Sequence, residues 1–147
     1  MRTSEPPRLG HTAISARDPL RVAEFYRDLL DLEVVRNTST PVTGDAVLLS
    51  GNPREEDHEL VFLTNPDAQH VAFRVSTLED LRTLYRRARQ RGLPVPYALD
   101  SGIALGFFVR DPEGNGVEIY LALSRPRSDK PPLTDPDEID RLILCAS

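Results

Sequence analysis

Two of the three histidines in this 147-residue chain, His11 and His70, head stretches that read as versions of one another: GHTAIS from Gly10 and QHVAFRV from Gln69. At the same shift of 59, from 11 to 70, Ala13 falls on Ala72, Ile14 on Phe73, Tyr26 on Tyr85, Leu29 on Ala88 and Glu59 on Glu118. Two neutral imidazoles and a carboxylate make the donor set of a divalent metal with open coordination positions. That set suits non-haem Fe(II), and also Mn(II), Zn(II) or Ni(II). His11, His70 and Glu118 supply it, provided the elements that carry them put all three on one face.

Those elements are legible from local pattern. LGHTAIS alternates and reads as a strand from Leu9 to about Ala16. Asp18 followed by Pro19 then starts a helix running to about Leu30, with Leu20, Ala23, Phe25 or Tyr26, Leu29 and Leu30 as its expected buried stripe. LEVVRN, AVLLS and HELVFLT read as three more strands, separated by the turn-forming PVTGD and GNPREED. The second copy has the same grammar. HVAFRV is its strand, and Thr77 caps a helix bearing Leu78, Leu81, Leu84, Tyr85 and Ala88 on one side. Gly92 and Pro94 end that helix, and PVPYAL, ALGFFVR and GVEIYLAL follow as strands. A constant period points to duplication of one unit. The expected fold is α+β: two paired βαβββ modules, 9–66 and 68–123, forming a curved, mostly antiparallel sheet cleft within a domain 1–125. Residues 126–147 follow as a Pro-rich linker and a C-terminal helix with Ile139, Leu142 and Ile143 on its apolar face.

Strand side chains alternate between faces, so each strand divides by parity. Val71, Phe73 and Val75 take the helix side of their strand, and His70 and Ala72 the other. Val117, Ile119 and Leu121 likewise oppose Glu118 and Tyr120, and Thr12 and Ile14 oppose His11, Ala13 and Ser15. His11, His70 and Glu118 are therefore expected to project from the helix-free face of three strands.

The 18 basic residues are scattered among 23 acidic ones, with a formal net charge of -5. That balance argues against nucleic acid or an anionic membrane surface as the main partner. Apolar runs such as LVFL are too short to span a bilayer, and MRTSEPPR lacks the apolar core of a secretion signal, so a cytoplasmic location is expected. Cys145, the single cysteine, forms neither an intrachain disulfide nor a cysteine metal knuckle and reads as a spare thiol.

The paired arrangement, with LGHTAI, FYRDLLDLEVV, HVAFRV and DPEGNGVEIY, resembles the vicinal oxygen chelate superfamily over about Leu9 to Ala122. That superfamily includes glyoxalase I, extradiol dioxygenases, fosfomycin resistance enzymes, epimerases and metal-free bleomycin-binding proteins. The resemblance implies metal ligands at His11, His70 and Glu118, with Fe(II) favoured, and an assembly as a homodimer. EDHELVFL looks like a segment of the extradiol enzymes in which a histidine beside the metal handles protons, and His58 matches it. Phe108 and Tyr120 are the expected substrate-facing residues. Phe108 stands where ring-cleaving members usually carry Tyr, and Ser101 where a His is often found, which departs from the dioxygenase pattern. In the glyoxalase reading Glu59 becomes a fourth ligand, and in a third reading the cleft sequesters an aromatic or antibiotic ligand without turnover. His58 and Glu59 leave the choice between the first two open.

Overall fold

The helices begin where their caps place them. In α1 (Pro19–Leu30) the Asp18 carboxylate accepts from the Arg21 amide at 3.2 Å, with Pro19 in the first turn, where no amide is needed. In α2 (Leu78–Gln90) the Thr77 hydroxyl accepts from the Asp80 amide at 3.0 Å. Gly92 follows α2 with φ +70°, a conformation a Cβ would strain. The computed structural model describes residues 2–145. No helix among them is long and apolar enough to cross a membrane.

The fold is α+β, and the chain divides into two compact units. One is Gly10–Val71; the other takes the N-terminal segment through Leu9 together with the chain from Ala72 onward. The first βαβββ run comprises β1 (Arg8–Ser15), α1, β2 (Glu33–Thr40), β3 (Gly44–Ser50) and β4 (Leu60–Leu63), in the sheet order β2-β3-β4-β1. β1 and β4 are parallel; the other two pairings are antiparallel. Against α1 pack Val47, Leu49 and Phe62, around Ala23. On the opposite face Ala13, Ala46, Val61 and Leu63 form a second cluster with Ala68. The stripe expected on α1 is narrower than its sequence suggests: Ala23 is fully buried and Tyr26 packs on Phe62, whereas Leu20, Phe25, Leu29 and Leu30 are exposed. Small Ala23 lets the helix sit close to the strands, and that contact takes only one side of it.

The second run comprises β5 (His70–Val75), α2, β6 (Ala98–Asp100), β7 (Ala104–Arg110) and β8 (Gly116–Ala122), in the order β5-β8-β7-β6, followed by α3 (Pro136–Leu144). Its core joins Val75, Leu105, Phe107 and Val109 to Leu81, Tyr85 and Ala88 of α2 and Ile139 and Ile143 of α3. Phe107 is fully buried and meets the Tyr85 ring edge-on at 5.2 Å. Replacing Phe107 by alanine is expected to lower stability by about 3–5 kcal/mol, read as a shift in the urea midpoint.

Two segments differ from expectation. PVPYAL is a strand only from Ala98, because Pro94 and Pro96 offer no ladder donors. The stretch after Ala122 is pinned rather than loose. Backbone bonds join Leu123 to Ile103, Arg127 to Gly102 and Lys130 to Asp100, and Ala98 and Leu133 exchange two. Buried Asp100 fixes this strap by accepting from Arg127 Nη2 at 2.7 Å. Gly102 is required there, since a Cβ would stand 2.1 Å from the Arg127 carbonyl oxygen. The strap covers the free edge of β6, which would otherwise expose unpaired backbone groups.

Candidate functional site

In the first unit, β1 and the approach to β5 bring two histidines face to face. His11 shares the helix-free face with Ala13, which lies opposite Val61 in the parallel β1–β4 ladder, and is only 5% exposed. A short 3-10 turn, Pro66–Ala68, is capped by the Asn65 side chain and delivers the chain to His70. There the Gln69 side-chain oxygen accepts from the Ser15 amide at 3.0 Å, tying the approach to β1.

The Ala68 carbonyl lies 2.8 Å from His70 Nδ1. A carbonyl only accepts, so Nδ1 carries the proton and Nε2 of the neutral ring keeps its lone pair. This is the orienting partner that metal-binding imidazoles use. His11 Nε2 stands 3.2 Å from His70 Nε2. Two ligand bonds of about 2.1 Å meeting at roughly 100° put their nitrogens about 3.2 Å apart, so the pair fits adjacent positions on one cation. Burial lowers the basicity of both rings: the His11 pKa falls to about 2, with the charges of His58 and His70 contributing after burial, and His70 also shifts down. Both rings are thus neutral donors at ordinary pH.

His58 joins them. Its ring centroid lies 4.3 Å from that of His11, and its Nδ1 lies 2.7 Å from Asp57 Oδ2. Asp57 is gripped in turn by Arg36, whose Nη1 donates to Oδ1 at 2.9 Å while Nη2 reaches Oδ2. The His58 hydrogen bond, and then the Arg36 guanidinium, hold the Asp57 carboxyl well below the usual carboxylate range. An ionised Asp57 takes the Nδ1 proton of His58 in hydrogen bond and leaves Nε2 to accept or return a proton.

Arg36 reaches Asp57 because of a bulge. Val34 pairs with Leu49, on the α1 side, but Arg36 pairs with Leu48, on the opposite face. In a regular strand residues 34 and 36 share a face; the extra residue moves Arg36 to the other one.

Glu59, beside His58 in sequence, is differently employed. Its Oε1 accepts from the Gly51 amide at 2.7 Å and lies 3.4 Å from the Ser50 hydroxyl, holding the turn between β3 and β4. β4 begins only at Leu60, so His58 is free of strand alternation and its ring reaches His11.

In the second unit, Glu118, Phe108 and Tyr120 share the face opposite α2. Glu118 lies across from Phe108 and Tyr120 from Gly106, and the three side-chain-bearing residues are buried. Gly106 makes room for Tyr120, whose Cβ would be 2.9 Å from any Cβ added there. Tyr97 stacks on Phe108 with ring centroids 4.3 Å apart and planes inclined by 21°. Burial, and then the Glu118 negative charge, push its phenol up to about 12. Tyr97, Asp57 and Arg36 have no motif of their own in the sequence; the bond between neighbours in DH at 57 and 58 is the one signal that could have pointed to Asp57.

Residues 8–119 match the family model described as Glyoxalase/Bleomycin resistance protein/Dioxygenase superfamily. The chain is 25% identical over 128 residues to biphenyl-2,3-diol 1,2-dioxygenase 3 of Rhodococcus globerulus, covering 78% of this chain and 63% of that protein. It is 26% identical over 131 residues to a manganese-dependent 2,3-dihydroxybiphenyl 1,2-dioxygenase of Geobacillus genomosp. 3, covering 86% of this chain and 40% of the relative. A crystal structure of a catechol 2,3-dioxygenase superposes with a TM-score of 0.63 at 30% identity, over 80% of this chain and 40% of that one. The chain thus spans less than two thirds of the length of these relatives.

Proposed function

The chain belongs to the glyoxalase/bleomycin resistance protein/dioxygenase superfamily, and on that premise we propose that it is a metal-dependent, extradiol-type oxygenase acting on a small aromatic substrate with two vicinal oxygens. His11, His70 and Glu118 hold the divalent cation, with Fe(II) favoured, Mn(II) next on the strength of the manganese-dependent relative, and Zn(II) or Ni(II) also within reach of the donor set. Held by these residues, such a cation would supply Lewis acidity toward a substrate with two vicinal oxygens. His58 accepts the proton of a substrate hydroxyl at Nε2, while Asp57, held by Arg36, fixes Nδ1 and steadies the charged ring. Phe108 and Tyr120 offer the apolar surface against which the substrate ring lies.

One observation carries this reading: a histidine oriented by a carboxylate stands with its ring centroid 4.3 Å from that of a histidine whose Nε2 faces a second one. The Glu59 carboxylate, engaged with the Gly51 amide, weighs against a glyoxalase-type lyase that would need it as a fourth ligand. The enzyme works in the cytoplasm as a homodimer, for which the exposed Phe25 and Leu29 of α1 offer apolar surface.

Oxygen consumption by the Fe(II)-reconstituted protein over a panel of catechols tests the proposal. Uptake with a ring-opened, visibly absorbing product is expected for at least one member. Stoichiometric metal with no uptake across the panel removes the oxygenase reading, and tight binding of aromatics by metal-free protein puts the sequestering role in its place.

A further inference from the structure

The second unit holds a hydroxyl whose position the fold specifies closely. Ala98 pairs with Phe107 and Leu99 with Gly106, so the β6–β7 register carried one residue back sets Tyr97 opposite Phe108. The Phe108 amide donates to the Tyr97 carbonyl at 3.1 Å, which fixes that step although Tyr97 precedes the strand. Phe108 in turn lies opposite Glu118. Cross-strand neighbours share a face, so Tyr97, Phe108 and Glu118 form one row across three strands, on the side away from α2.

Within this row the ring of Tyr97 is held by its stack on Phe108 and needs no hydroxyl to stay there. A phenol on a half-buried aromatic surface is an expense unless its O–H finds a partner. Among the described residues no protein group hydrogen-bonds it. A neutral phenol is a proton donor. Beside Glu118, whose charge a bound cation would offset, it suits a ligand that places an anionic oxygen there.

We propose that Tyr97 is a substrate-binding residue, donating a hydrogen bond from its phenol to an ionised hydroxyl oxygen of an aromatic ligand lying along the Tyr97–Phe108–Glu118 row. The assignment rests on the oxygenase reading and extends it, since it names the group that recognises the ionised substrate. Phe108 supplies the ring contact and no polar atom; Tyr97, one strand further out, supplies the donor.

The test uses 4-nitrocatechol, a chromophoric catechol whose absorbance reports its ionisation, titrated without oxygen into the Fe(II)-loaded full chain and its Tyr97→Phe variant. Phenylalanine keeps the stack on Phe108 and removes only the O–H. The variant is expected to bind the probe roughly 10- to 100-fold more weakly, the range for one hydrogen bond to a charged group, with unchanged metal content and unfolding midpoint. Equal affinity within about twofold, with the parent binding well, overturns the role of Tyr97 and leaves the oxygenase reading standing. Failure of the parent itself to bind overturns that reading and the assignment to Tyr97 with it.

Discussion

Replacing His70 by alanine is expected to abolish stoichiometric metal binding while leaving the chain folded. His70 heads β5, and the contacts of its ring include the bond to the Ala68 carbonyl and the approach to His11. The bond to Ala68 runs through its backbone carbonyl and His70 itself belongs to none of the hydrophobic clusters, so alanine there leaves the packed residues of both units in place. Removing an orienting partner of a metal ligand already costs 10- to 100-fold in affinity; removing the ligand costs more, so affinity is expected to fall by well over 100-fold. Glu118→Gln should act in the same direction, because the amide keeps the shape of the side chain and discards the charge that binds a hard cation. Both variants are compared with the parent by elemental analysis after dialysis against a weak chelator, with urea midpoints measured on the metal-free proteins. A His70→Ala protein that retains one equivalent of tightly held metal would remove His70 from the ligand set.

The features that proved legible in the sequence are those governed by local period. Val117, Ile119 and Leu121 alternate with Glu118 and Tyr120, and the structure packs the first three against the helical core of their unit. Ala13 and His11 likewise sit away from α1, and Leu81, Tyr85 and Ala88 at helical spacing are buried. What escaped depends on partners distant in the chain. The face that Arg36 occupies is decided by a register shift against Leu48 and Leu49, and no pattern within EVVRNTST marks the bulge. Tyr97 sits in a proline-rich run without ladder periodicity, and its place follows from pairing with β7. The exposure of Phe25 and Leu29 shows the converse limit: a helical apolar period states which residues share a side, and leaves unstated how wide a surface the sheet presents to them.

Of the three histidines, His58 is the one whose loss should separate chemistry from metal binding. Its Nδ1 is committed to Asp57 and its ring lies against His11, so it touches the site without being needed to complete a two-histidine, one-carboxylate set. His58→Gln is therefore expected to bind Fe(II) with parental stoichiometry and to turn over catechol about 10²- to 10⁴-fold more slowly, the usual contribution of a positioned acid/base group. Glutamine has an amide able to fill part of the space and to meet Asp57, but that amide neither takes up nor releases a proton. Asp57→Asn provides the graded comparison. The asparagine oxygen still accepts from His58 Nδ1, but the charge that steadies a protonated ring is gone, and Arg36 loses one of its two acceptors. A smaller deficit, of about 10- to 100-fold, is expected there. Steady-state oxygen uptake at several pH values, paired with metal analysis of each sample, distinguishes the outcomes. If His58→Gln loses metal along with activity, His58 is a ligand and the proton-transfer role assigned to it is wrong; if it keeps both, the Arg36–Asp57–His58 chain is structural and the base lies elsewhere.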